Sequence, residues 1–160
     1  MTLRHFVRTA FGASFALLPT IGLAADILVT NPYARVSRPN APTGAAFMEI
    51  TNNGPEADRL LEARSNAAKR VELHTHVSQG DGIMVMTELE DGIALEQGIT
   101  HIMKRGGDHV MLMGLSEPWA QRETITVTLV FEKAGEVTVT IPVDNMRQPS
   151  LDHTTQGDNN

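Results

Sequence analysis

The 160-residue chain contains no cysteine, and this absence narrows its chemistry before any pattern is sought. Without thiols there is no disulfide scaffold, no thiolate nucleophile, no Cys-based zinc or iron–sulfur site, and no blue-copper centre, which needs a Cys sulfur. All of the sulfur is thioether, in eight methionines. Aromatic side chains are scarce, with one tryptophan, one tyrosine and five phenylalanines. Basic residues are outnumbered 13 to 19 by acidic ones, giving a formal net charge of −6, and they form no cluster. Such a chain lacks the basic footprint that nucleic acids and anionic membranes require. It points instead to a cation, or to a basic protein surface, as partner. The length fits about one domain.

The long uncharged run lies at the N-terminus. Arg4 and Arg8 precede a stretch from Phe11 to Ala25 that closes on Gly22-Leu23-Ala24-Ala25 before Asp26. A membrane-spanning helix needs about 20 predominantly apolar residues, and this shorter run is interrupted by Gly12, Ser14, Pro19 and Gly22. Its layout is that of a secretory signal peptide. Residues 1–25 are therefore expected to be cleaved on export to the periplasm, with no membrane insertion afterwards. Residues 26–144 are expected to form one folded domain and 145–160 a flexible polar tail. Cleavage leaves 11 basic and 19 acidic residues, and only Tyr33, Phe47, Trp119 and Phe131 as aromatics. A mature chain of about 135 residues can bury a core large enough to be stable without disulfides.

Along that mature chain the apolar residues recur with period two, bounded by Gly, Asn, Asp and Pro. The clearest case runs from Glu123 to Glu132, with Ile125, Val127, Leu129 and Phe131 on one face and Thr124, Thr126 and Thr128 on the other. After Lys133-Ala134-Gly135 the pattern resumes with Val137, Val139 and Ile141, so the two runs predict a β-hairpin. Further strands are expected over Ile27 to Val36, Gly44 to Thr51, Leu60 to Ser65, Val71 to Val77, Ile83 to Glu88 and Val110 to Leu115. Several short strands at this spacing predict an antiparallel sandwich or barrel.

Three of these strands carry soft or imidazole donors at i and i+2, which in an extended chain share a face roughly 6.5–7 Å apart. In Val71-Glu72-Leu73-His74-Thr75-His76-Val77 the apolar residues take one face and His74 and His76 the other. In Ile83-Met84-Val85-Met86 the two methionines face away from Ile83 and Val85. In His109-Val110-Met111-Leu112-Met113 the histidine and both methionines align opposite Val110 and Leu112. Neutral imidazole and thioether ligands select Cu(I) over hard cations, and thioether is a poor zinc ligand. Singly, a strand methionine is more simply core filler and a strand histidine an ordinary surface group. As a set they differ, because methionines opposite an apolar Ile/Val face would make both sides of one strand apolar. Five of the seven mature methionines also fall between residues 84 and 113.

The run His74-Thr75-His76, Met84-Val85-Met86 and Gly106-Gly107-Asp108-His109-Val110-Met111-Leu112-Met113-Gly114-Leu115 resembles the periplasmic copper chaperone family PCu(A)C. The resemblance extends to Ala34-Arg35, Gly44-Ala45-Ala46-Phe47-Met48 and Thr51-Asn52-Asn53-Gly54. It implies a cupredoxin-like, antiparallel Greek-key β-sandwich that carries Cu(I), with Cu(II) as a secondary state. It implies ligands at His74, Met86, His109 and Met111, and a copper acceptor such as a cytochrome c oxidase subunit or a Sco-type protein. His76 stands where many members have methionine, and His76, Met84 and Met113 are additional candidates, with Met84 and Met86 as alternatives. Spacing departs from the family pattern by one residue in each of two intervals, which the turns at Gln79-Gly80-Asp81-Gly82 and Glu90-Asp91-Gly92 can absorb.

Other signals are read as structural. His101-Ile102-Met103 lacks the Gly-Gly entry and second methionine, so Met103 is assigned to the core and His101 to no role. Trp119 is assigned as a packing anchor and Asn52-Asn53-Gly54 as a turn, while the tail His153 is a weak candidate for transient Cu(II). The expected function is a monomeric, non-enzymatic metallochaperone. The alternatives are a copper- or other metal-dependent exported enzyme, for which the ligand faces offer only Glu72 and Glu88 as bases, and a metal-free structural sandwich.

Overall fold

Alternation in the sequence becomes strand pairing in space. The structure, a computed structural model, describes residues 26–148. Residues 1–25, expected from the sequence to be a signal peptide, and His153 lie outside the described residues. Ten strands follow one another: β1 (Ile27–Val36), β2 (Thr43–Asn52), β3 (Asp58–Arg64), β4 (Ala68–Ser78), β5 (Met84–Glu88), β6 (Ile93–Leu95), β7 (Thr100–Met103), β8 (His109–Leu115), β9 (Thr124–Phe131) and β10 (Gly135–Pro142). No helix forms among the described residues.

One sheet has the order β1-β2-β8-β4-β5, with β7 also paired to β2, and the other has the order β10-β9-β3-β6. The strand pairings are antiparallel. The chain passes between sheets after β2, β3, β5, β6 and β8, which makes the expected sandwich. Ala46, Met48 and Ile50 of β2, Val110 and Leu112 of β8, and Leu73 of β4 meet Leu60, Ala63, Val127, Leu129, Phe131 and Ile141 in one core. Each fully buried large side chain contributes about 1.5–3 kcal/mol. The predicted hairpin is present as β9 and β10, in register from Phe131 opposite Gly135 to Thr124 opposite Pro142.

The sequence pattern does not anticipate β6, because three residues, Ile93-Ala94-Leu95, are too short to display a period. Met103 is buried against Met48 in the β2–β7 register, as expected of a core residue. Trp119 joins the same core and lies over Gly44, where an added Cβ would stand 2.4 Å from the indole Cζ3. Asn52 is a buried staple: its Nδ2 donates to the Glu56 and Leu95 carbonyls and its Oδ1 accepts from Gly54 N. Asn145, at the head of the segment expected as tail, is tied to the sandwich, its Oδ1 accepting from Val36 N and its own N donating to Gln121 Oε1.

Candidate metal centre

The core explains where the chemistry sits. In β4 and β8, Leu73, Val110 and Leu112 turn inward, so Glu72, His74 and His76 of β4 and His109, Met111 and Met113 of β8 turn to the outer face. The pairing then fixes neighbours: His74 opposite His109, Glu72 opposite Met111, Arg70 opposite Met113, and His76 opposite Met86 of β5. Ala45 of β2 lies opposite Met111 and Arg35 of β1 opposite Ala45.

His109 is the centre of this face. Its ring is 2% exposed although it points away from the core. Phe47 covers one side at 5.9 Å between centroids, and Phe47 is itself stacked at 5.0 Å on Tyr33, over which the Arg147 guanidinium sits. The His76 and His74 rings lie 5.2 and 5.9 Å from His109. The loop before β8 turns at Gly106, whose φ of +82° favours glycine, and brings the Gly107 carbonyl to 2.9 Å from His109 Nδ1. A carbonyl only accepts, so Nδ1 carries the proton and Nε2 keeps the lone pair. Burial holds this imidazole below its usual pKa; the Gly107 carbonyl acts in the opposite direction, and the neighbouring His76 and His74 add to the lowering.

His74 is oriented by a different group. Its Nε2 lies 2.8 Å from Glu72 Oε2, while Glu72 Oε1 is 2.9 Å from Arg70 Nε. Arg70, Glu72 and His74 thus form a chain along the outer face of β4. The remaining ring nitrogen, Nδ1, is buried and has no hydrogen-bond partner. A buried lone pair on an imidazole whose other nitrogen is held by a carboxylate is the arrangement expected of a metal-ligating histidine.

A cavity of about 370 Å³ opens beside these rings, lined among others by His76, Met86, His109, Met111, Phe47 and Arg35. Of the predicted donors it brings together His76, Met86, His109 and Met111. His74 adjoins His109 without lining the cavity. Met84 pairs with Ser78 further along the β4–β5 hairpin and is 53% exposed, and Met113 receives an N–H from Arg70 at 3.4 Å to its sulfur. His101 bonds Asp108 at 2.9 Å, a structural pair holding the loop before β8. Among the described residues, no group of three or more His, Asp and Glu could hold a metal ion, so a site here depends on thioether.

Sequence reading missed Arg35, Arg105 and Phe47 as residues of this cavity, and Glu72 as the partner of His74. For Glu72 the signal was present, since Glu72 and His74 share a face at i and i+2. For the others it was not, because their proximity depends on strand order.

The family profile described as "Putative lipoprotein LpqE-like" matches residues 27–143, nearly all of the described chain. The chain belongs to the LpqE-like family. This LpqE-like chain is 35% identical over 99 residues to a protein of Leifsonia xyli subsp. xyli named "Putative lipoprotein Lxx21020", covering 62% of this chain and 59% of that relative's length. Among solved structures it is similar to the copper-bound PCuAC domain from PmoF2, at 28% identity and a TM-score of 0.61, over 75% of this chain and 93% of that one. It is also similar to the Cu(I) form of DR1885 from Deinococcus radiodurans, at 28% identity and a TM-score of 0.57, over 75% and 80% of the two chains. The metal-free form of the same Deinococcus protein, at 22% identity and a TM-score of 0.53, shares the fold. The resemblance to PCu(A)C and the cupredoxin-like sandwich it implies both hold for the LpqE-like chain.

Proposed function

We propose that this protein is an exported copper chaperone that carries Cu(I) on the outer face of its first sheet, with His74, His109, Met86 and Met111 as ligands. The observation that carries the reading is the pair of neighbouring imidazoles. Each has one nitrogen committed, His74 to Glu72 and His109 to Gly107, and each keeps a lone pair; His109 lines a cavity with two thioethers, and His74 adjoins His109. That donor set is neutral and soft, which suits Cu(I). The similarity to a copper-bound PCuAC domain and to a Cu(I)-bound relative supports the same metal.

His76 lines the cavity and adds an imidazole that suits Cu(II) as a secondary state. Thioether ligands detach without a proton, which suits handover. Residues 1–25 would direct the chain to the periplasm, and the lipoprotein descriptions of its relatives favour an envelope location. The recipient in this reading is a copper acceptor in cytochrome c oxidase assembly, an oxidase subunit or a Sco-type protein.

A Cu(I) competition titration beside His109→Ala and Met111→Ala tests this. Stoichiometric uptake by the parent and its loss in both variants is expected. No uptake by the parent, or equal uptake by all three, refutes it.

A further inference from the structure

Charge around the cavity runs against the charge of the chain. Acidic residues outnumber basic ones 19 to 13 overall, yet the cavity lining contains Arg35 and Arg105 and no acid at all. Of the carboxylates close to it, Glu72 is engaged with Arg70 and His74 and Asp108 with His101, while Glu88, opposite His74, does not line the cavity. Arg35 reaches the cavity from the β1 position across Ala45 from Met111, and its Nε is buried without a hydrogen-bond partner. Arg105 comes from the loop that enters β8, and the hydroxyl residues Ser37 and Thr43 line the same rim.

Two guanidinium groups beside a site for a monovalent cation, bound by neutral ligands, are electrostatically unfavourable for that cation alone. They become favourable when an anion enters with it. The anion must also be soft enough to bind the metal, which singles out a thiolate.

We propose that Arg35 and Arg105, with Ser37 and Thr43, form an anion-receiving mouth that admits the thiolate of the copper acceptor. This rests on the copper reading above. The transfer is ligand exchange with no change of oxidation state. A thiol gives its proton to solvent, the resulting thiolate sulfur forms a bond to Cu(I), and a methionine thioether bond to the metal breaks in return. The thiolate charge cancels that of the metal, and the arginines lower the cost of bringing that charge into a half-closed apolar cavity.

The test compares two acceptors. Cu(I)-loaded protein is mixed with 2-mercaptoethanol or a Cys-x-x-Cys peptide as thiolate acceptors, and with neocuproine as an uncharged one, for the parent, Arg105→Gln and Arg35→Gln/Arg105→Gln. Transfer to thiolate is expected to slow by about tenfold in the double variant and to lose its salt dependence, with the neocuproine rate changed by less than about twofold. Lysine at both positions should restore part of the thiolate rate. An effect confined to the peptide assigns the mouth to a protein acceptor, and one confined to 2-mercaptoethanol to a small thiol.

A second arm uses metal-free protein and thiocyanate, a soft monovalent anion. It should shift the Gly106 and His109 amide resonances in the parent and not in the arginine variants. Equal slowing toward both acceptors, or an unchanged thiolate rate, overturns the proposal. Failure of the parent to take up copper overturns the copper reading instead. The thiocyanate titration then decides alone whether the mouth binds anions, and no shift in the parent rejects it.

Discussion

Gly44→Ala tests the packing that supports the site. Gly44 lies mid-sheet, paired to Val36 of β1 on one side and Leu112 of β8 on the other, so its backbone cannot retreat. A Cβ built there stands 2.4, 2.7 and 3.0 Å from three atoms of the Trp119 indole, where ordinary contact begins at 3.4 Å. The ring must therefore move by about 1 Å inside a close-packed core. If it slides, overpacking costs about 1–3 kcal/mol. If it is expelled, loss of about 150–250 Å² of burial raises the cost to about 4–6 kcal/mol. For a domain of this size the smaller cost lowers Tm by about 3–15 °C. Trp119 is the single tryptophan and is 8% exposed, so its emission reports this contact directly. Thermal unfolding followed by fluorescence should show a lower Tm with a red-shifted native emission; in a Trp119→Leu background, followed by circular dichroism because the fluorescent reporter is gone, Gly44→Ala should be nearly neutral. A Tm within about 1 °C of the parent, with unaltered emission, would falsify the reasoning.

Three further outcomes are expected. Glu72→Leu, which leaves no acceptor for His74 Nε2–H, should weaken Cu(I) binding by about 10–100-fold, as loss of a group that orients a ligand does. In the metal-free variant, ¹⁵N imidazole shifts should show His74 released from the Nε2–H tautomer; an unchanged tautomer refutes the role. Met86→Leu should weaken Cu(I) binding by roughly tenfold or more and Met84→Leu by less, measured by the same competition, because Met86 lines the cavity and Met84 does not. Asp58 contributes to acid sensitivity. Burial raises its pKa, but N–H groups of Arg59, Ala134 and Lys133 outweigh that and hold it below the usual carboxylate range. Its folded pKa is the lower one, so its stabilisation is present above the unfolded value and is lost as pH falls from about 5 through the folded value. Urea unfolding against pH should show this slope in the parent and a flatter one in Asp58→Asn, which is less stable at pH 7 by about 1–3 kcal/mol.

Much of this molecule is legible in its sequence because one face of each strand is buried. Val71 and Leu73 fix which way His74 and His76 point, and Val110 and Leu112 do the same for Met111 and Met113, since a slip of one residue would expose the core. What is not legible is adjacency. That β8 lies between β2 and β4, and so sets His109 between Phe47 and His74, follows from long-range pairing that no local pattern encodes. Arg35 and Arg105 enter the cavity for the same reason, from segments that read locally as an ordinary strand and a Gly-rich turn. The roles of the two imidazole nitrogens were equally hidden, because they depend on the positions of the Gly107 carbonyl and the Glu72 carboxylate.

In β4 and β8 the donors and the core residues alternate along one strand and are never the same ones. In β8, Val110 and Leu112 hold the sheets together while His109, Met111 and Met113 face outward. This separation has an evolutionary consequence. A substitution that exchanges thioether for imidazole, or either for a carboxylate, alters what the surface will hold without entering the packing that keeps the domain folded. Ligand preference can drift one residue at a time through sequences that all fold. His76, on the outer face of β4 opposite Met86, is a position where such an exchange leaves the core untouched.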